Sequence, residues 1–177
     1  FPRLALGLPR GFGKTTVIKL FILYCILYTD RRFILIMSAT AGHAVNIISD
    51  IADMLDEPNI KAVFGDWRTG MEKDTQEVKK FSFRGRTVII AGLGAGGNVR
   101  GLNLKNERPD VMIFEDVQKR EDAESKVVSD SLYKWMIGTA MKAKSPKRCM
   151  TVFIGNMYPT PNSILRKLKA NSQWTKF

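Results

Sequence analysis

The sequence of 177 residues is poor in the residue types on which several protein classes depend. Its two cysteines, Cys25 and Cys149, both lie in apolar runs, which indicates buried thiols in a reducing compartment and not a disulfide framework. The single histidine, His43, cannot build a histidine-based metal site, and we assign it no role. The longest apolar run, Leu20 to Tyr28, has nine residues. A membrane-spanning helix needs about 20, so we expect no membrane association.

Signal peptides, internal repeats and low-complexity linkers are also missing from the sequence. The chain begins with Phe, and its hydrophobic content of 45% is enough for a substantial core. We therefore expect residues 1–177 to form a single domain that is truncated at its N-terminus. Acidic residues are the minority charge, with 17 Asp and Glu against 28 Lys and Arg, a net charge of +11 and a pI near 9.8. Such a surface favours polyanionic partners, although solvated lysines alone would give the same charge.

Strand-like and helix-like segments alternate along the chain. The predicted strands are residues 3–8, 32–37, 61–64, a hairpin over 79–94 with its turn at 84–86, 110–117, 149–156 and 173–177. The predicted helices are 14–28, which is apolar nearly all round and so covered on both sides, 44–55, 123–143 and 162–169. This alternation predicts an α/β fold with a mostly parallel sheet covered by helices on both faces. Ligands of such folds bind beyond the carboxyl ends of the strands.

The segment "LGLPRGFGKTT" places a glycine-containing turn between the first strand and the first helix. Glycines allow backbone N–H groups to close around phosphates, and the helix N-terminus adds positive potential. Lys14 would reach the β- and γ-phosphates of a nucleoside triphosphate, and the Thr15 hydroxyl would bind Mg²⁺. Leu8 stands where the usual pattern has its first glycine, and Arg10 lies inside the loop. Whether this is a damaged or a working nucleotide site is not decided by the loop alone.

A second motif, which is acidic, follows another predicted strand. "VMIFED" ends in Glu115 and Asp116, and carboxylates at a neighbouring strand end can hold the metal and polarise the attacking water. Two solvated carboxylates at the end of an ordinary strand are the alternative. The presence of both motifs in the right order favours the nucleotide site.

Three segments together resemble the ATPase domain of the large terminase subunit, the DNA-packaging motor of tailed bacteriophages. They are "LPRGFGKTT", "GAGGNVRGLNLKNERPDVMIFEDVQ" and "VFIGNMYPTPNSIL", and the resemblance extends from Leu4 to about Leu168. It implies a P-loop NTPase fold of the ASCE type, with ATP and Mg²⁺ as cofactors. In that family the first loop position is often not Gly and a loop arginine is habitual, which favours a working site.

The resemblance also implies residue roles. Arg10 would contact the γ-phosphate, Glu115 would hold the Mg²⁺ shell, and Asp116 would be the catalytic carboxylate. Arg100 matches a position proposed to reach the nucleotide of the neighbouring subunit. The residues predicted to bind the nucleotide are Arg10, Gly11, Gly13, Lys14, Thr15, Thr16 and Asn156, with Thr15 and Glu115 at the metal.

Two positions depart from the family pattern. Asp116 is shorter than the usual Glu by one carbon–carbon bond, about 1.5 Å, and a displacement of about 1 Å can cost about 100-fold in rate. Gly155 and Asn156 match the motif that couples hydrolysis to movement, where a hydroxyl residue is more usual than Asn. The Asn156 amide can still hydrogen-bond the γ-phosphate or the water.

The partners implied by the resemblance are double-stranded DNA, further copies of the chain in a ring, the procapsid portal and the small terminase subunit. The implied location is the host cytoplasm, at the procapsid and not in the mature virion. The nuclease domain of a large terminase would follow Lys169 and is not expected in this chain, so we predict an ATPase without nuclease activity.

Two other functions remain open. A helicase-like translocase is one, since "SAT" at residues 38–40 fits that wider relationship. A basic nucleic-acid-binding module with a decayed nucleotide site is the other. Its candidate phosphate contacts are Lys79, Lys80, Arg84, Arg86, Lys142, Lys144, Lys147 and Arg148.

Overall fold

Eight strands form one sheet in the computed structural model of the protein, which describes residues 2–99 and 107–176. The strands are β1 (Arg3–Gly7), β2 (Phe33–Ser38), β3 (Met71–Asp74), β4 (Val78–Phe83), β5 (Arg86–Gly94), β6 (Val111–Glu115), β7 (Met150–Gly155) and β8 (Thr175–Lys176). Their order across the sheet is β3-β4-β5-β2-β6-β7-β1-β8. β4 pairs antiparallel with β3 and β5, and all other pairs are parallel. The predicted mostly parallel sheet is confirmed.

The described part of the chain contains six α-helices. They are α1 (Lys14–Tyr28), α2 (Ala41–Asp56), α3 (Pro58–Phe64), α4 (Arg120–Glu124), α5 (Lys126–Gly138) and α6 (Ile164–Ala170). The predicted helix over residues 14–28 agrees with α1 at both ends. The predicted hairpin is also present, because Arg84 and Gly85 both adopt positive φ angles, 51° and 75°, as a two-residue hairpin turn requires.

Side chains of the central strands alternate between two cores, one on each face of the sheet. In β2, Ile34 and Ile36 pack into a cluster with residues of α1 and α2, whereas Phe33, Leu35 and Met37 pack with residues of α5 and α6. All residues of β2 are buried. A parallel strand covered on both faces needs apolar side chains in both directions, which is why its sequence is continuously apolar.

The amino-terminal edge of the sheet is closed by a buried carboxylate, Asp110. Its oxygens accept hydrogen bonds from the backbone N–H groups of Arg32 and Phe33, each at 3.0 Å, and lie 3.2 Å from the Arg148 guanidinium. Arg148 also donates to the backbone carbonyl of Asp30 at 2.8 Å. A buried charge is stable only when it is paired and hydrogen-bonded in this way.

The prediction of a strand over residues 61–64 is wrong, because these residues belong to α3. Pro58 occupies the first turn, where its fixed φ favours a helix start. Ile60 and Phe64 are four residues apart and both pack against the core, as on one face of a helix. The β-branched Val63 is 74% exposed.

Two further expectations need correction. The predicted single helix over 123–143 is divided into α4, α5 and a short 3₁₀ helix, and the Ser125 hydroxyl caps the start of α5 by accepting from Val128 N at 3.4 Å. Helix α1 is covered on one side only, since an apolar stripe on it is at least half exposed. That stripe consists of Val17, Leu20, Tyr24 and Tyr28.

Both cysteines are buried and unpaired, as predicted. Burial raises the pKa of the Cys25 thiol to about 11, so it stays protonated at neutral pH and is a poor nucleophile. No helix within residues 2–99 or 107–176 combines the length and the apolar character that crossing a membrane requires.

Candidate functional site

The loop between β1 and α1 has the backbone that a phosphate site needs. Gly11 and Gly13 have φ angles of 83° and 66°, in the left-handed region that strongly favours glycine. Leu8 lies outside that region: among the described non-glycine residues only Arg84 and Asp116 have positive φ. Its N–H donates to the Gly155 carbonyl at 3.2 Å, and its side chain packs against the core. The glycine missing at position 8 is therefore not required by this loop.

The Lys14 side chain lies inside the loop and not in solvent. Only 7% of the residue is exposed, although it carries an ammonium group. Nζ donates to the Asn156 Oδ1 at 2.9 Å and to the Pro9 carbonyl at 3.1 Å, with the Leu8 carbonyl at 3.5 Å. These neutral acceptors satisfy the charge in the free protein, and phosphate oxygens would replace them with a stronger, charge-assisted interaction.

Glu115, the last residue of β6, is fully buried and held by hydroxyl groups. Its Oε1 accepts from Thr15 Oγ1 at 2.6 Å, and its Oε2 accepts from Ser38 Oγ at 3.4 Å. His43 Nδ1 lies 3.7 Å from the same Oε2. Thr15, at the start of α1, is thus hydrogen-bonded directly to the last residue of β6.

Asp116 follows in a strained backbone conformation. Its φ angle is 43°, and a non-glycine residue pays for a left-handed conformation unless its surroundings hold it there. Its N–H donates to the Ile154 carbonyl at 2.9 Å, and its Oδ1 accepts from both N and Nδ2 of Asn156, each at 3.1 Å. Its Oδ2 lies 4.0 Å from Lys14 Nζ. One carboxylate oxygen is thereby tethered, and the other points toward the lysine.

Asn156 joins the two halves of the site. Its Oδ1 accepts from Lys14 while its Nδ2 donates to Asp116. The amide therefore uses its acceptor and its donor at once, which explains why an amide suits a position where a hydroxyl is more usual. It also fixes the orientation of the shorter carboxylate.

The protein atoms available to a metal ion are few. Within residues 2–99 and 107–176 no group of three or more His, Cys, Asp or Glu side chains is arranged to hold a metal ion. The Thr15 hydroxyl and the Glu115 carboxylate, 2.6 Å apart, form a smaller oxygen pair. Mg²⁺ keeps several waters and uses one or two protein oxygens together with substrate phosphates, so this pair fits Mg²⁺ bound with a nucleotide.

The remaining predicted residues are more peripheral. Arg10 is exposed and lines an open cleft of about 640 Å³ with Asp116 and Asn156. Thr16 is exposed on the first turn of α1. Arg100 lies outside the described residues.

Ser38 and His43 at the site were not assigned by the sequence reasoning. Ser38 is the sheet neighbour of Glu115 in the register of β2 and β6, so a polar residue at the end of an apolar strand could have indicated it. His43 is in the first turn of α2, where its N–H donates to the Thr40 side chain at 3.2 Å. The histidine gave no sequence signal, because a short loop from β2 brings it to the site.

No protein-family model matches the sequence, and no curated protein matches it. Solved structures do resemble the fold. The large terminase of a thermophilic bacteriophage matches 88% of this chain with a TM-score of 0.53 and 13% identity. The same terminase in complex with ATP-γ-S matches 87% with a TM-score of 0.53 and 16% identity. The large terminase ATPase domain of Thermus phage P74-26 matches 88% with a TM-score of 0.56 and 13% identity.

These likenesses establish the fold, which is that of the P-loop NTPases. The chain spans 33% and 32% of the two terminase chains and 60% of the P74-26 ATPase domain. The ASCE-type arrangement is visible in the sheet, because β7 lies between the loop strand β1 and the carboxylate strand β6. The predicted fold is confirmed.

The strain at Asp116 can be measured by comparing two truncations. Both Asp116→Gly and Asp116→Ala remove the carboxylate, but glycine accepts a φ of 43° without a steric cost. We expect Asp116→Gly to be more stable than Asp116→Ala by about 1 kcal/mol in chemical denaturation. At the exposed Asp53 in α2 the order should reverse by about 1 kcal/mol, because alanine favours helix. If alanine were the more stable replacement at position 116 as well as at position 53, the backbone at Asp116 would not be strained.

Proposed function

We propose that this chain is the ATPase motor domain of a large-terminase-type packaging machine. In this role ATP hydrolysis drives double-stranded viral DNA into a procapsid, in the host cytoplasm. The observation that carries the proposal is the convergence of a loop lysine, two strand-end carboxylates and an amide at one edge of the sheet. The shortest link is the 2.6 Å hydrogen bond between Thr15 and Glu115, which joins two motifs that are 100 residues apart in the sequence.

Nucleotide binding would begin with an exchange of partners at Lys14. Its ammonium group would leave the Pro9 carbonyl and Asn156 Oδ1 for the β- and γ-phosphate oxygens, while the glycine-rich backbone supplies N–H donors. Thr15 and Glu115 would hold Mg²⁺, whose charge would neutralise the phosphates. The structure of a similar terminase with ATP-γ-S supports a nucleotide as the ligand.

Hydrolysis would then depend on Asp116. A water attacks the γ-phosphorus in line with the bond to the bridging oxygen of ADP, which breaks as the new P–O bond forms. Asp116 Oδ2 would orient this water and accept its proton, while Oδ1 stays held by Asn156. Arg10, on the cleft beside Asp116, would neutralise charge on the γ-phosphate.

The oligomeric part of the proposal rests on the sequence resemblance. Arg100 is proposed to act on the nucleotide of a neighbouring subunit in a ring, where an arginine supplied in trans is worth roughly 10³ to 10⁵ in rate. The portal and the small terminase subunit are proposed partners on the same grounds.

A helicase-like translocase would use the same site chemistry, and a full-length sequence with a second motor domain would favour it. A decayed nucleotide site is less well supported. The buried Lys14 with its bonds through Asn156 to Asp116, and the bond between Thr15 and Glu115, support an intact site.

Lys14→Ala tests the assignment of the loop. We expect ATP turnover to fall by at least about 10²–10³-fold, because the lost charge faces the phosphates, with the circular dichroism spectrum unchanged. Lys19→Ala is the matched control: it lies on the same helix, and its ammonium pairs with Asp50 at 2.5 Å. Full activity in a well-folded Lys14→Ala protein would remove the site assignment.

The roles of the two carboxylates can be distinguished by steady-state ATP turnover measured at varied Mg²⁺ concentration. Asp116→Asn is expected to lose about 10²–10⁴-fold in turnover and to keep Mg-ATP binding, because it removes the base and leaves the phosphate loop. Glu115→Gln is expected to raise the Mg²⁺ concentration needed for half-maximal activity. If Glu115→Gln stops turnover at saturating Mg²⁺ while Asp116→Asn is mild, the roles are reversed.

DNA binding should be electrostatic and indifferent to base sequence, because a packaging motor contacts backbone phosphates. Lys142, Lys144 and Lys147 form no ion pair among the described residues. Their triple substitution by alanine should therefore make the plot of log binding constant against log salt concentration less steep, by up to about 2.7 in slope. The control is Lys79→Ala with Lys80→Ala, whose ammonium groups pair with Asp74 and Glu72. Strong sequence preference, or tight binding that persists at high salt, would count against the motor.

A further inference from the structure

The two oxygens of the buried Glu115 carboxylate are hydrogen-bonded unequally. Glu115 is 0% exposed. Its Oε1 accepts from the Thr15 hydroxyl at 2.6 Å, whereas its Oε2 has only a longer bond, from the Ser38 hydroxyl at 3.4 Å. A buried acceptor that is poorly satisfied is costly, and more so when it carries a charge. Oε2 therefore needs a further partner.

The group that faces Oε2 is the imidazole of His43, whose Nδ1 lies 3.7 Å from this oxygen. Within residues 2–99 and 107–176 no Lys or Arg lies within ion-pair distance of Glu115, since Lys14 faces the other carboxylate, Asp116, at 4.0 Å. A separation of 3.7 Å exceeds a direct hydrogen bond by about 0.5–1 Å. Rotation of the imidazole about its side-chain bonds can supply this small displacement.

The backbone that carries His43 is held close to the sheet. The His43 N–H donates to the Thr40 side chain at 3.2 Å, which caps α2. A Cβ atom at Gly94, the last residue of β5, would lie 2.8 Å from Ala41 N, so the first turn of α2 packs directly on the β5 backbone. The position of the imidazole beside the end of β6 is therefore set by the fold.

The imidazole also reaches the cleft where the nucleotide is proposed to bind. The His43 side chain is 41% exposed and lines the open cleft together with Asp116 and Asn156. In the described part of the chain, the ring makes a single polar contact, the one with Glu115. His43 thus connects a buried carboxylate to the solvent side of the site.

We propose that His43 is a positioning residue for Glu115. Its Nδ1–H holds Oε2, so that Oε1 stays beside the Thr15 hydroxyl and this oxygen pair faces the Mg²⁺ that accompanies the nucleotide. The inference rests on the proposed nucleotide site and adds the residue that orients its metal-binding carboxylate. A carboxylate that is already held in one orientation loses less conformational freedom when the metal binds.

The first test is the position of the hydrogen on the imidazole of the free protein. His43 is the only histidine in the 177 residues, so its NMR signals can be identified directly if the chain is purified without a histidine tag. At about pH 9, where an ordinary imidazole is neutral, the ring nitrogen shifts show which nitrogen carries the hydrogen. We expect it on Nδ1, because a bare Nδ1 would place its lone pair against the carboxylate. A hydrogen on Nε2 would overturn the proposal.

The second test is calorimetric titration with ATP in Mg²⁺ and in EDTA, which measures the contribution of the metal to nucleotide binding. His43→Ala is expected to lower the ratio of the two affinities roughly tenfold, as for other residues that hold a metal ligand. The affinity in EDTA should change by less than about twofold. His43→Asn should restore most of the ratio, because its amide nitrogen takes about the place of Nδ1, whereas His43→Gln should not.

Asn46→Ala is the matched control, because Asn46 is exposed on the same helix and lines a different cleft. Each variant should retain the circular dichroism spectrum of the unaltered chain. An unchanged ratio in His43→Ala would overturn the proposal. An equal loss of affinity in Mg²⁺ and in EDTA would also overturn it, because His43 would then contact the phosphates themselves. Failure of the unaltered chain to bind ATP in either solution would overturn the proposed function and this inference together.

Discussion

The arrangement of the site depends on one buried charge, the ammonium group of Lys14. β1 and β6 are not neighbours in the sheet, because β7 lies between them, so the loop and the carboxylates are separated by two strand spacings, about 9.6 Å. The register aligns Gly7 with Gly155 and Ile154 with Glu115. A side chain from the end of β7 is therefore the natural connection, and Asn156 supplies it with an acceptor for the lysine and a donor for Asp116. Without acceptors such as Asn156 Oδ1, the buried Lys14 ammonium would be unstable.

Backbone strain complements this electrostatic network. Three residues around the site, Gly11, Gly13 and Asp116, adopt left-handed conformations. Only Asp116 has a Cβ atom, which makes that conformation unfavourable. Three hydrogen bonds offset this conformational cost. Two run from Asn156 to Asp116 Oδ1, and one runs from Asp116 N to the Ile154 carbonyl. The carboxylate thus keeps its orientation before any ligand arrives, and a group that is already oriented needs no reorganisation during a reaction.

Local sequence patterns were enough for the elements that carry the site. Short continuous apolar runs located β2, β6 and β7, and the long apolar stretch after the glycine-containing turn located α1. The placement of motifs after strand ends predicted that they meet at one edge. Features set by tertiary packing were not accessible in this way. The segment with Val63 had the composition of a strand, but Pro58 and Gly65 delimit a helix. The exposed face of α1 and the contact of His43 with Glu115 both depend on distant residues.

The segment that follows β7 contacts both the phosphate loop and the end of β6. Asn156 contacts Lys14 and Asp116, Met157 lines a cavity between β1 and α6, and Tyr158 lines both that cavity and the open cleft beside Asp116. The Tyr158 hydroxyl also donates to the Gln118 carbonyl at 3.2 Å, and Gln118 Oε1 accepts from the first residue of α6, Ile164, at 2.9 Å. A change in the position of Lys14 or Asp116 would therefore act on this short segment. Since Gln118 accepts hydrogen bonds from both Tyr158 and the first residue of α6, a displacement of this segment has a physical route into a whole helix.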